Sequence, residues 1–118
     1  MAERSLSEVQ ALIRQFRDER DWMQFHNPKN LAISISLEAN ELLEHFQWRS
    51  FEESETHAEE SRDAIADEMA DVAIYLAELA DNLDIDLLAA MEAKIAKNDA
   101  KYPVAKARGS HAKYSDLE

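Results

Sequence analysis

Glu38 and Glu41 stand three residues apart, and so do Glu68 and Asp71. In a helix each residue turns by about 100°, so such a pair projects onto one face, about 60° apart. If the helices carrying the two pairs pack antiparallel, four carboxylates converge. Magnesium takes oxygen ligands and completes its octahedron with phosphate oxygens and water, so the predicted chemistry is metal-assisted attack on a phosphate-bearing substrate. Spacing alone is a weak signal. The chain has 25 acidic residues, and Glu52 with Glu55, or Glu60 with Asp63, repeats it. The chosen pairs differ in setting. Glu38 follows Leu31-Ala32-Ile33-Ser34-Ile35-Ser36-Leu37, while Glu68 and Asp71 lie among Ile65, Met69, Val72 and Ile74. A carboxylate among apolar neighbours needs a metal or a partner, because unpaired burial is costly. The other pairs fall in or at the end of the polar stretch 49–60, which reads as a solvated loop.

A di-iron or di-manganese bundle is the nearest metal alternative, and it uses Glu-x-x-His pairs. None of His26, His45, His57 and His111 has a Glu three residues before it. Hard oxygen ligation, hence Mg2+, is favoured over a transition metal.

Other residues suit a phosphorylated ligand. Lys94, Asn98 and Lys101 fall on one helical face and fit either phosphate oxygens or a solvated basic helix end. Trp22 and Trp48 each follow a predicted helix end. Either can stack on a nucleobase or simply pack there. His26, four residues beyond Trp22, fits the same pocket or a polar loop. Tyr75, one turn past Asp71 on the same face, fits a sugar or phosphate contact or the core.

The elements that must position these residues are helices. One Gly and two Pro in 118 residues, with abundant Ala, Leu and Glu, leave few turns. Apolar residues at helical spacing predict four helices: Leu6 to Trp22, Lys29 to Gln47, from between Thr56 and Arg62 to Leu83, and Asp86 (as N-cap) to Lys101. The breadth of apolar residues on the second predicts a central, heavily buried helix. Leu87, Leu88, Met91 and Ile95 of the fourth are expected to face inward. His26-Asn27-Pro28 and Tyr102-Pro103 are breaks. The expected architecture is all-α, a four-helix core over residues 1–103 and a mobile or docked tail over 104–118.

The formal charge is −12, which repels nucleic-acid backbone and makes a polymer of nucleotides a poor partner. A phosphorylated small molecule is compatible if divalent cations offset the carboxylates. There is no cysteine, and no apolar run is long enough to span a bilayer. The charged start, Met1-Ala2-Glu3-Arg4, leads into an amphipathic segment rather than a signal-peptide core. The expectation is a soluble cytoplasmic protein without membrane contact.

Together these residues resemble the MazG-type all-α nucleoside triphosphate pyrophosphohydrolases, in particular the short single-domain branch that includes the animal deoxycytidine triphosphate pyrophosphatases. The likeness covers nearly the whole chain. It rests on Glu38-Ala39-Asn40-Glu41 and Glu68-Met69-Ala70-Asp71, and on Arg20-Asp21-Trp22 with Phe25-His26 and Pro28-Lys29-Asn30-Leu31. Phe46-Gln47-Trp48, Asp71-Val72-Ala73-Ile74-Tyr75-Leu76, Lys94 with Asn98, and Tyr102-Pro103 complete it. The resemblance implies Mg2+-dependent hydrolysis of a nucleoside triphosphate, favouring a deoxynucleotide, to monophosphate and pyrophosphate, in nucleotide-pool cleaning. It implies that Glu38, Glu41, Glu68 and Asp71 are the catalytic, metal-holding residues. It places Lys94, Asn98, Tyr75 and, as a weaker match, Lys101 on the triphosphate or sugar, and Trp22, Trp48 and His26 near the base. It further implies a homodimer or homotetramer, a dimer or dimer of dimers, whose sites include residues from a neighbour.

Ile13 stands where the animal deoxycytidine enzymes carry a His, nine residues before the first Trp, so the preferred base stays open. Two other readings of the chain stand beside this one. One is a non-catalytic helical module that binds a partner through an acidic face. The other is a same-fold phosphohydrolase with a different substrate or cut, such as a dUTP or phosphoribosyl-ATP enzyme.

Overall fold

The computed structural model describes residues 3–117. Met1 and Ala2 of the charged lead-in lie outside them. Every regular element among the described residues is helical. Helix α1 spans Leu6–Glu19 and opens with a capping box: Ser5 Oγ accepts the Glu8 N–H and Glu8 Oε1 accepts the Ser5 N–H, each at 3.2 Å. It ends before Trp22, earlier than the apolar spacing predicts. Asp21 turns into the left-handed region at φ 52°, which short polar side chains tolerate, and so takes Trp22 out of the helix. A 3-10 turn, Met23–Phe25, follows.

Helix α2, Pro28–Glu44, starts on the proline itself, whose missing N–H and fixed φ suit a first helical position. Asn27 Oδ1 caps it by accepting the Asn30 N–H at 2.9 Å. The stretch read as a loop is instead helix α3, Phe51–Glu60. Ser50 and Glu53 form a second capping box there, which gives a polar segment a defined start. Helix α4, Arg62–Asn82, follows after the single residue Ser61. Helix α5, Leu87–Lys101, has the expected cap, with Asp86 Oδ1 accepting the Ala89 N–H at 3.0 Å.

The chain forms two compact units, one ending at Asp84 and the other beginning at Ile85. In the first, α4 packs on α1, α2 and α3. Its cross-links to α1 ascend together along both helices: Gln10 Nε2 to the Ala77 carbonyl at 2.9 Å, Arg14 to Asp81 at 2.6 Å and Arg17 to Asn82 at 3.0 Å. Helices α1 and α4 therefore run parallel. In the second unit, α5 is followed by the short helix α6, Val104–Ala107, and a 3-10 turn, Tyr114–Asp116. The tail docks on the end of α5: Tyr114 meets the Tyr102 ring edge-on at 6.1 Å, with Lys101 Nζ 4.9 Å from its centroid.

Ile13, Leu31, Ala77 and Ala80 are the buried apolar residues of this core among the described residues, Leu31 fully so. The breadth of apolar residues on α2 does not make it buried all round, because α4 covers one side of it. Leu37, on its open side, is 59% exposed, and Ile33 and Leu43 are exposed too. On α5 the stripe Leu88, Met91 and Ile95 is likewise exposed rather than turned inward. No helix among the described residues is long and apolar enough to cross a membrane.

Candidate active site

Glu38 and Glu41 sit in the last two turns of α2, and Glu68 and Asp71 near the middle of α4. Each offers an oxygen, and the four oxygens lie within 4.8 Å of one another. Glu38 shares one cavity with Asp71, and Glu41 shares another with Glu68. That order, ascending on one helix and descending on the other, shows α2 antiparallel to α4. Glu41 and Asp71 are exposed, whereas Glu38 and Glu68 are half-buried.

No cation among the described residues pairs with any of the four. Glu38 Oε2 and Glu68 Oε2 are buried without a hydrogen-bond partner. The cluster's own repulsion shows in its acidity. The hydrogen bond with Glu41, then desolvation, then the charges of Glu41, Asp71 and Glu68 push the Glu38 carboxyl up to about 7. Desolvation and then the Glu41 contact raise Glu68 as well. Four like charges with two orphaned oxygens and no protein counter-ion form a site that a hard divalent cation fits.

On the Glu38–Asp71 side lies a cavity of about 520 Å³. An aromatic run borders it: Phe16 meets Trp22 edge-on at 5.7 Å, Trp22 lies 6.4 Å from His26, and His26 lies 6.3 Å from Tyr75. Burial, then the charges of Glu38, Asp71 and Glu78, hold the Tyr75 hydroxyl above its ordinary pKa, so it stays protonated and able to donate. On the Glu41–Glu68 side the second cavity, about 420 Å³, is lined by Glu44, His45, Arg49 and His57. There His45 Nδ1 lies 2.8 Å from His57 Nε2. Desolvation, with Arg49 and His45 nearby, holds His57 below its ordinary value.

Of the residues singled out by sequence, the structure brings together Glu38, Glu41, Glu68 and Asp71, and gathers Trp22, His26 and Tyr75 beside them. Trp48 does not line this cavity and is 87% exposed just beyond α2. Lys94, Asn98 and Lys101 are exposed on α5 of the second unit. Two charged residues of the cavity were not anticipated, Arg17 and Glu78. The signal for Glu78 was its place seven residues beyond Asp71, which returns to within about 20° of the same face. Arg17 lies one turn after Ile13, which also lines the cavity.

A model of the MazG-like family matches residues 33–117. This chain belongs to the MazG-like family. It is 42% identical over 117 residues to dCTP pyrophosphatase 1 of Rattus norvegicus, covering 98% of this chain and 69% of that protein. The human dCTP pyrophosphatase 1 is 38% identical over 117 residues, with the same coverage. Among solved structures, a pyrophosphatase from Archaeoglobus fulgidus superposes with a TM-score of 0.81 at 43% identity, covering 87% of this chain and 96% of that one. The acidic cluster of this MazG-like chain thus sits in a fold shared with a pyrophosphatase.

Proposed function

We propose that this MazG-like chain is a magnesium-dependent pyrophosphohydrolase that cuts deoxynucleoside triphosphates to the monophosphate and pyrophosphate. One observation carries the reading: Glu38 and Asp71 belong at once to the carboxylate cluster and to the rim of the aromatic cavity. A ligand with its base in that cavity has its phosphates beside the cluster. The relatives named dCTP pyrophosphatase support a deoxynucleotide, and with it a role in cleaning the nucleotide pool; we assign that role to the cytoplasm.

The all-oxygen donor set and its two unpartnered buried oxygens favour magnesium. When bound, magnesium supplies charge neutralisation on the phosphates and lowers the pKa of the attacking water. Glu38, Glu41, Glu68 and Asp71 would hold the cation. Glu38, on both the cluster and the cavity rim, orients the water and takes its proton. Trp22 stacks on the base, and Tyr75 donates its hydroxyl proton toward sugar or phosphate. His26 lies between the Trp22 and Tyr75 rings and fixes the depth of the base. Lys94, Asn98 and Lys101 are assigned to the triphosphate on sequence alone.

We assign the working unit as a homodimer or homotetramer. Leu37, Trp48 at 87% and Phe51 at 93% exposure leave apolar surface that a soluble chain covers with a partner. In that assembly Trp48 serves a neighbouring copy's base pocket. The test is a screen of the common ribo- and deoxynucleoside triphosphates with magnesium, identifying both products. Monophosphate and pyrophosphate from deoxynucleotides support the reading. Release of single phosphates, or no turnover of any triphosphate, overturns it.

A further inference from the structure

The aromatic cavity is apolar around most of its wall, yet its two least exposed polar residues are charged. Arg17 is 7% exposed and Glu78 only 2%, and both line it. Their known contacts do not exhaust them. His26 Nδ1 lies 2.8 Å from Glu78 Oε2 and 3.0 Å from Oε1, so a single N–H is shared between two oxygens. An ionised carboxylate has about four acceptor positions. No other hydrogen bond reaches Glu78 among the described residues, and its spare acceptor capacity borders the cavity. Arg17, which lines the same space, donates through Nε to Asp18 at 2.8 Å and through Nη1 to Asn82 at 3.0 Å, with no hydrogen bond from Nη2 among the described residues. The guanidinium also supplies the counter-charge for the buried carboxylate.

Ile13, one turn before Arg17, offers the cavity no hydrogen bond. With Glu38, Asp71 and Tyr75 assigned above to the cation, sugar and phosphates, discrimination between bases falls to the charged pair and to His26. A carboxylate accepts and never donates. It welcomes an exocyclic amino group and opposes a carbonyl oxygen in the same place, and a buried site built for one rejects the other strongly.

We propose that Glu78 is a specificity-determining residue, accepting a hydrogen bond from the exocyclic amino group of the base and so selecting cytosine over uracil and thymine. The proposal rests on the nucleotide reading above. It assigns the base edge to α4, the helix that also carries Glu68 and Asp71. His26 then acts as a positioning residue, holding the carboxylate plane through its Nδ1–H.

The experiment crosses two enzymes with two substrates. The wild type and Glu78→Gln are assayed on dCTP and on the triphosphate of 2-pyrimidinone deoxyriboside, which lacks only the 4-amino group, with dUTP alongside. The wild type is expected to prefer dCTP in kcat/KM by at least about tenfold, the worth of one hydrogen bond to a charged group. In Glu78→Gln, whose amide can accept from an amine or donate to a carbonyl, the ratio of dCTP to dUTP falls to within about threefold. Parallel losses on all substrates would reduce Glu78 to a packing role and overturn the proposal. If the variant does not fold, the wild type decides: equal use of dCTP and the 2-pyrimidinone triphosphate overturns it. Calorimetric binding of dCMP against dUMP separates the two readings. A dCMP preference without turnover sinks the hydrolase and keeps the base reader, whereas turnover without preference does the reverse.

Discussion

Two cavities flank the carboxylate cluster, and they differ in what they can hold. One is bordered by Phe16, Trp22 and Tyr75 and has Glu38 and Asp71 on its rim; the other is lined by Glu44, His45, Arg49 and His57 and includes Glu41 and Glu68. Flat apolar rings suit a base, because stacking tolerates any π-face. The second cavity offers ionisable groups on a shallow, polar surface, without the large apolar rings of the first. The four carboxylates therefore divide by the space they face. Glu38 and Asp71 line the aromatic cavity, and Glu41 and Glu68 line the polar one; in the proposed reading the first pair faces the substrate and the second closes the cation site.

The largest effect that would break this division is on the shared rim. Asp71→Asn is expected to lower kcat by at least about hundredfold while circular dichroism stays unchanged. Near-normal turnover would take the rim out of the chemistry. Next comes the aromatic wall. Trp22→Ala is expected to raise KM by about tenfold, the worth of one stacked base, with a smaller change in kcat. An unchanged KM would place the base elsewhere.

The cluster's acidity supplies a third test. Glu38 and Glu68 have raised pKa values in the folded chain. Their protonated forms therefore favour the fold. For Glu38 that contribution is fully present below its ordinary value of 4.5 and is lost as pH rises through about 7. A divalent cation needs the ionised form and reverses the trend. Without cation, thermal stability is expected to fall between about pH 5 and pH 8, and the stabilisation by magnesium is expected to grow over the same range. A magnesium effect independent of pH would argue against binding at these carboxyls. The smallest effect belongs to the polar cavity: His45→Ala is expected to change kcat/KM by less than about threefold, since His45 borders no base pocket. A loss as large as that of Trp22→Ala would erase the distinction between the two sides.

Much of this was legible in the residues. The three-residue spacings and their apolar settings located all four carboxylates, and Asp86 announced the start of α5. The capping signature at Ser50 and Glu53 was equally present, but the polarity of its surroundings hid α3, since a helix held by caps and one packed side need not be amphipathic in an obvious way. The apolar breadth of α2 was read as burial within the chain, whereas Ile33, Leu37 and Leu43 are exposed in it. Periodicity records that a face needs covering and not which chain covers it. Glu78 was missed for a different reason. Its place seven residues beyond Asp71 put it on the cluster's face, but among 25 acidic residues that spacing does not mark the one that will be buried; the packing of α1 and α2 against α4 does so.

The central claim is that oxygens from α2 and α4 jointly bind a hard divalent cation. It is tested most directly by calorimetric titration of magnesium into the wild type and into Glu68→Gln, which removes one buried, unpartnered oxygen from the polar side. Saturable binding to the wild type, weakened by at least about tenfold in the variant at unchanged fold, is the predicted result. Equal affinity in the two proteins, or no binding to either, would contradict the account.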